Sequence, residues 1–248
     1  MSYVAVSAIS HPGLLRERNE DSLVVGPWTL CGTVTENPQT LVFPLGTPLV
    51  VAVADGLGGH PGGDVASSLV ARRMAALGPA LSSEVAVRDA VNACNLAVYQ
   101  AAGGEERSEL SGMGTTIAGV VVRPESLLVF NVGDSQVFAA SGAELRQLSV
   151  DDSPPHPPGR TTTLVTQSLG GSLTYRAVAP HVSAEPLASG DRFLICSDGL
   201  TDPVAPDVLE EILDEHEDGR AAFELWKAAI EAGGPDNITV ALVRVGKE

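Results

Sequence analysis

Acidic residues recur in this chain where an apolar run meets a glycine or a turn. "VAVADG" ends at Asp55-Gly56, "VFNVGDS" at Gly133-Asp134 and "FLICSDG" at Asp198-Gly199. "GGPDNIT" sets Asp236 just ahead of another run, and "RERNEDS" sets Glu20 and Asp21 ahead of an early one. One such carboxylate is an ordinary turn or cap residue. Repeated along one chain, they imply more. Strand ends at one edge of a sheet converge, and converging carboxylates repel unless cations lie between them. Hard oxygen ligands of this kind suit Mg²⁺ or Mn²⁺. The segment "VVAVADGLGGHPGGD" adds five glycines within residues 56–63, with His60 among them. A tight turn needs one or two, so this run reads as backbone that must come close to something. Arg16 stands just ahead of the Glu20-Asp21 pair, and its plain reading is a surface ion pair with Glu17 or Glu20.

The elements that must carry these groups read as strands over Tyr3–Ile9, Ser22–Val25, Leu49–Ala54, Thr115–Val122, Leu127–Val132, Gln136–Ala140, Arg192–Cys196 and Ile238–Val245. Helical spacing joins Ala66, Leu69, Val70, Met74 and Leu77 on one face, and Val87, Val91, Cys94 and Val98 on another. Phe223, Trp226 and Ile230 make a third face, and an acidic helix over about 206–216 turns Leu209, Ile212 and Leu213 inward. Its "EEILDEHED" reads as a solvated face. Strands outnumber helices without strict βαβ alternation, so the expectation is α+β: packed antiparallel sheets with helices outside. Residues 151–163, "DDSPPHPPGRTTT", form a Pro-rich loop too short for a domain linker, and residues 1–248 read as a single domain.

Composition narrows the function. The chain has 248 residues, 44 % of them apolar, and no stretch near the roughly 20 apolar residues of a membrane span. The N-terminus lacks the basic flank and apolar core of a signal peptide. Cys31, Cys94 and Cys196 are too few and too scattered for a disulfide framework, which points to a reducing cytoplasm. A formal charge of −16 argues against nucleic acid as a partner.

Read in order, "RERNEDS", "VADGLGGH", "GMGTT", "NVGDS", "CSDGLTD" and "DNIT" resemble the motif set of the metal-dependent PPM (PP2C-type) serine/threonine phosphatases in their short bacterial form. The resemblance runs from about residue 10 to the C-terminus. It implies an αββα sandwich and a centre of two Mn²⁺ or Mg²⁺ ions with a third, looser one. Under it, Asp55 bridges two ions, the Gly56 carbonyl binds one, and Asp198 and Asp236 complete the first ion's set. Glu20 and Asp21 match an acidic pair that binds through waters, and Asp134 matches a holder of the third ion. Arg16 matches the phosphate-gripping arginine, and His60 the general acid for the leaving alkoxide. The implied substrates are phosphorylated Ser/Thr proteins, with a cognate Ser/Thr kinase as a possible partner, and the implied state is a cytoplasmic monomer. A regulatory phosphatase of an anti-sigma-factor antagonist uses the same chemistry. A phosphoprotein-binding form without turnover would have lost core acids, and here each is kept.

The chain departs from that pattern in two places. Asp151-Asp152-Ser153 puts Asp152 where the family has a histidine, and the flap that follows is cut down to the Pro-rich loop. Residues 27–48 form a longer connection, read as an extended hairpin. Other hydrolase chemistries fit poorly. No cysteine is followed six positions later by arginine, since those positions hold Asn37, Gln100 and Asp202. The "GDS" at 133–135 lacks the late Asp-x-x-His of a GDSL-type esterase, and neither a P-loop nor a zinc-type His pair is present. The glycines of "GMGTT", Gly112 and Gly114, read as structural, permitting close packing.

Overall fold

The computed structural model describes residues 2–57, 62–104, 106, 108–140, 144–154 and 164–247. Strand β5, Leu49–Ala54, shows how the sequence builds its layers. Leu49, Val51 and Val53 face one apolar core, while Val50, Ala52 and Ala54 face another. Alternation on a pleated strand thus serves two cores at once, so the segment reads as a continuous apolar run. Full burial of each valine stabilises by about 1.5–3 kcal/mol over exposure.

The first sheet runs β12 (His181–Pro186), β8 (Ser126–Val132), β7 (Ile117–Arg123), β5, β2 (Ser22–Val25), β3 (Trp28–Cys31). The second runs β10 (Arg146–Gln147), β9 (Gln136–Ala139), β13 (Arg192–Cys196), β14 (Ile238–Lys247), β1 (Ser2–His11), β4 (Gln39–Pro44). Strands β6 (Gly114–Thr115) and β11 (Leu169–Gly170) form a small ribbon. The named pairings are antiparallel. The sheets meet through Val6, Val51, Val53, Val120, Ile195 and Val243. Helices α1 (Gly63–Leu77) and α2 (Glu84–Ala101) cover the first sheet through Val70, Met74, Val91 and Val98. Helices α3 (Asp198–Thr201), α4 (Pro206–Glu215) and α5 (Asp218–Glu231) cover the second through Leu200, Leu209, Leu213 and Leu225. The result is the αββα sandwich expected.

Several readings change in detail. Residues 27–48 are not one extended hairpin. Strand β3 pairs with β2 in one sheet, and β4 pairs with β1 in the other, so the segment crosses between sheets. The buried face of α5 is Ala221, Ala222, Leu225 and Ala229, with Phe223 and Trp226 on its flank, 5.4 Å apart. Small side chains let the helix lie close to the sheet. The strand expected over Thr115–Val122 breaks at Thr116, between β6 and β7. Gly114 does sit in a tight contact with Gly171, but a Cβ on Gly112 would meet open space, and its φ of 85° is what favours glycine there.

Candidate metal centre

Antiparallel register brings alternate strand starts and ends to one edge. In the first sheet, Ser22 pairs with Ala54, Val53 with Ala118, and Ile117 with Val132. In the second, His11 pairs with Ile238, and Cys196 with both Val240 and Gln136. Just beyond these positions stand Asp21, Asp55, Asp134, Asp198 and Asp236. Arg16, Glu20, Asp55, Gly56, Asp134, Asp198 and Asp236 line one cleft of about 260 Å³, and Asp21 is fully buried nearby. Leu57, Thr116, Leu164, Val165, Ser168 and Gly171 complete the described lining.

Backbone and hydroxyl groups fix each acid. The Asp55 carbonyl accepts from Thr116 N at 2.8 Å and Thr115 Oγ1 at 2.7 Å, while Asp55 N donates to Thr116 Oγ1 at 3.1 Å. At Gly56 a Cβ would stand 2.6 Å from the Gly63 carbonyl oxygen and 2.7 Å from that of Glu20. This close approach explains why glycine follows the acid. Asp198 opens α3, and Gly199 behind it packs so tightly on the Asn237 carbonyl that a side chain would overlap it. Asp21 N donates to Asn19 Oδ1 at 3.1 Å, and Asp21 Oδ2 accepts from Ser197 Oγ at 2.8 Å. Asn237 ties down the loop that carries Arg16. Its Oδ1 accepts from Glu20 N at 2.7 Å, and its Nδ2 donates to the carbonyls of Pro12 and Arg18 at 3.1 and 2.9 Å.

The electrostatics point one way. Burial pushes the Asp55 carboxyl well above the usual carboxylate range, and the negative charges of Asp21, Asp198, Asp236 and Asp134 add to the shift. Burial also raises Asp21 and Asp134, each to about 7, and raises Asp198 and Glu20. Arg16 Nη2 donates to Asp236 Oδ2 at 2.7 Å, which together with the nearby acids raises the guanidinium's own pKa. A divalent cation fits this donor set. Asp198 Oδ1 and Asp21 Oδ1 are buried without a hydrogen-bond partner, an arrangement that costs free energy unless something accepts the lone pairs. All the facing donors are hard oxygens, the chemistry Mg²⁺ and Mn²⁺ prefer. Among the described residues no three acids, histidines or cysteines already close a finished cage. Arg16 occupies one oxygen of Asp236.

The structure therefore brings Arg16, Glu20, Asp21, Asp55, Gly56, Asp134, Asp198 and Asp236 to one edge. His60 lies outside the described residues. Sequence reasoning passed over Asn19, Asn237, Ser197 and Thr116, which hold the acids in place. The asparagines stood in plain view in "RNED" and "DNIT", and their capacity for several simultaneous hydrogen bonds was the available signal.

A protein phosphatase 2C family model matches residues 42–239. The serine/threonine protein phosphatase PstP of Mycobacterium tuberculosis is 34 % identical over 96 % of this chain and 44 % of its own length, so the chain spans about half that relative. The serine/threonine phosphatase stp of Listeria monocytogenes is 32 % identical over 93 % of this chain and 92 % of its own. A crystal structure of the PstP catalytic domain in complex with two manganese ions superposes with a TM-score of 0.78 at 30 % identity, covering all of both chains. The chain belongs to the protein phosphatase 2C family.

Proposed function

We propose that this chain hydrolyses phosphoserine and phosphothreonine in proteins at a divalent-metal centre on the strand-end edge. The observation that carries the reading is the convergence of buried and half-buried acids, Asp21 and Asp198 each with an orphaned oxygen, at a cleft that also holds Arg16. Asp55 and the Gly56 carbonyl would hold two ions between them, with Asp198 and Asp236 completing one set. Glu20 and Asp21 would act through coordinated waters, and Asp134 would hold a third, looser ion. Bound there, Mn²⁺ or Mg²⁺ would acidify a water so that a nucleophile forms near neutral pH. The chain's own residues do the rest. Asn237 and Asn19 fix the loop that presents Arg16, whose fork takes phosphate oxygens at the mouth of the cleft. His60 is assigned the proton for the leaving serine or threonine oxygen.

The PstP structure with two manganese ions and the named Ser/Thr phosphatase relatives support this reading. No helix among the described residues is long and apolar enough to cross a membrane. We assign residues 1–248 to one phosphatase domain acting as a cytoplasmic monomer that reverses a Ser/Thr kinase. The test is hydrolysis of an aryl phosphate and a phosphothreonine peptide by chelator-stripped protein, with and without Mn²⁺. Turnover of both should vanish on stripping and return with the metal. Near-normal turnover in stripped protein would overturn the assignment.

A further inference from the structure

Asp152 stands where the sequence departs from its family, and it is the hub of a hydrogen-bond network beside the cleft. Its side chain is 12 % exposed. Oδ2 accepts from Gly133 N at 2.9 Å and from Gln167 Nε2 at 3.0 Å, while Oδ1 lies 2.9 Å from His181 Nε2. An ionised carboxylate only accepts, so the imidazole nitrogen is the donor. The backbone of Asp152 joins in. Its N–H donates to the Gly133 carbonyl at 3.0 Å, and its own carbonyl accepts from Thr166 N at 2.7 Å.

Two of these bonds run between Asp152 and Gly133, one in each direction, and clasp the residue that immediately precedes Asp134. Gly133 has a φ of 100°, so the turn aiming Asp134 at the cleft is one that few other residues would hold. On its other side, Asp152 fixes Thr166 and Gln167, between the cleft-lining Val165 and Ser168. Gln167 is itself held, its Oε1 accepting from Ala179 N. His181, at the start of edge strand β12, anchors the hub to the first sheet through its pairing with Asn131.

We infer that Asp152, held by His181 and Gln167, is a positioning residue that aims Asp134 and sets the 164–168 wall of the cleft. Its carboxylate accepts from one backbone and two side-chain donors at once. An asparagine in its place loses the charge, and with its oxygen kept on Gly133 N and Gln167 Nε2 its NH₂ meets His181 Nε2, which must then change tautomer to accept. This inference rests on the reading of Asp134 as a metal-holding group, and its effect falls on the most weakly held ion.

The test is titration of chelator-stripped protein with Mn²⁺ alone, following bound ion by calorimetry and free ion by electron paramagnetic resonance. Asp152→Asn should weaken the loosest class of Mn²⁺ site by about tenfold or more and leave the tighter classes unchanged. In parallel, kcat should fall while KM for an aryl phosphate stays within about twofold. His181 is more exposed, so His181→Phe tests the hub without the folding risk. It should shift the same class about threefold, and His181→Gln, which keeps a donor, should restore it. In Asp134→Asn protein the loosest class should be lost, and adding Asp152→Asn should change nothing further. Wild-type isotherms for both Asp152→Asn and His181→Phe, with Asp134→Asn altered, would overturn the positioning role alone. An unaltered isotherm for Asp134→Asn would remove Asp134 as a ligand and take the inference with it.

Discussion

Asp218 at the start of α5 and the carboxylates around Asp55 are buried or half-buried, yet their surroundings are opposite. Arg192 Nε stands 2.7 Å from Asp218, and Arg244 reaches it through Nε at 2.6 Å and Nη2 at 2.9 Å. Arg192 also donates to the carbonyls of Leu213 and His216, so this cluster ties α4 and α5 to strand β13. At the strand-end edge, Asp21, Asp55, Asp134, Asp198 and Asp236 gather around one cleft, and Arg16 is the one cation among the described lining residues. Among the described residues its guanidinium hydrogen-bonds Asp236. The comparison separates two uses of a buried acid. Where two arginines meet one carboxylate, charge closes within the protein and the cluster holds the fold. Where several carboxylates meet one arginine, the protein leaves negative charge for a cation to balance.

The strongest way to break that distinction is to neutralise one acid in each cluster. Asp55→Asn should lower kcat by roughly 10³-fold or more, through loss of transition-state stabilisation of about 4 kcal/mol. Without metal, its melting temperature should stay the same or rise, since a repelling charge has been removed. Asp218→Asn should do the reverse: stability should fall by about 3–5 kcal/mol, because two guanidiniums lose their partner, while kcat per folded molecule stays near wild type. Denaturant unfolding paired with active-site titration reads both. Matching stability losses in the two variants would erase the contrast.

Arg16 tests whether the cation lining the acidic cleft serves substrate or fold. Arg16→Ala should cost on the order of 2–4 kcal/mol in kcat/KM, mostly through KM, and Arg16→Lys should recover only part. A loss in thermal stability larger than the kinetic loss would make Arg16 a structural counter-ion of Asp236 instead.

The smallest effect per step is the pH dependence of metal-free protein. Asp21 and Asp134 are raised on folding to about 7, from an ordinary value near 4. The folded state therefore holds these protons more tightly than the unfolded chain does. Their contribution to stability is fully present below about pH 4 and is lost as pH climbs through about 7, by at most about 1.4 kcal/mol per unit for each group. Saturating Mn²⁺ should reverse the slope, because the ion favours the ionised form and adds stability by mass action. A metal-free stability curve that shows no such fall, compared with that of Asp21→Asn protein, would contradict the charge imbalance.

How much was legible follows the same physics. Strands β2, β5 and β13 matched their expected bounds because burial on both faces leaves an unbroken apolar run. Strand β12 was missed, and β4 was read as part of a hairpin over 27–48 that does not form. Both lie at sheet edges, each ends on proline, and "QTLVFP" and "HVSAEP" expose alternate or most residues. Helix α5 misled because aromatic size suggested a core face, whereas close contact with the sheet calls for Ala221, Ala222 and Ala229. The acids of the site were legible because a charge at the end of an apolar run is conspicuous. Asn19, Asn237 and Asp152 were not, since their long-range hydrogen bonds span 9 to 225 residues of chain, which no local pattern records.

Strand β14 lies in the middle of the second sheet, between β1 and β13. Strand β1 finds this partner only after more than two hundred intervening residues have been made, as the Ser10–Thr239 hydroxyl bond spans. Pairings so distant are slow to form, and in a chain emerging from the ribosome they wait for synthesis to reach them. Asp236 stands just ahead of that strand. A nascent chain therefore carries most of the acids of the cleft without their arrangement, and the proposed metal centre comes into being in one late step, when β14 inserts.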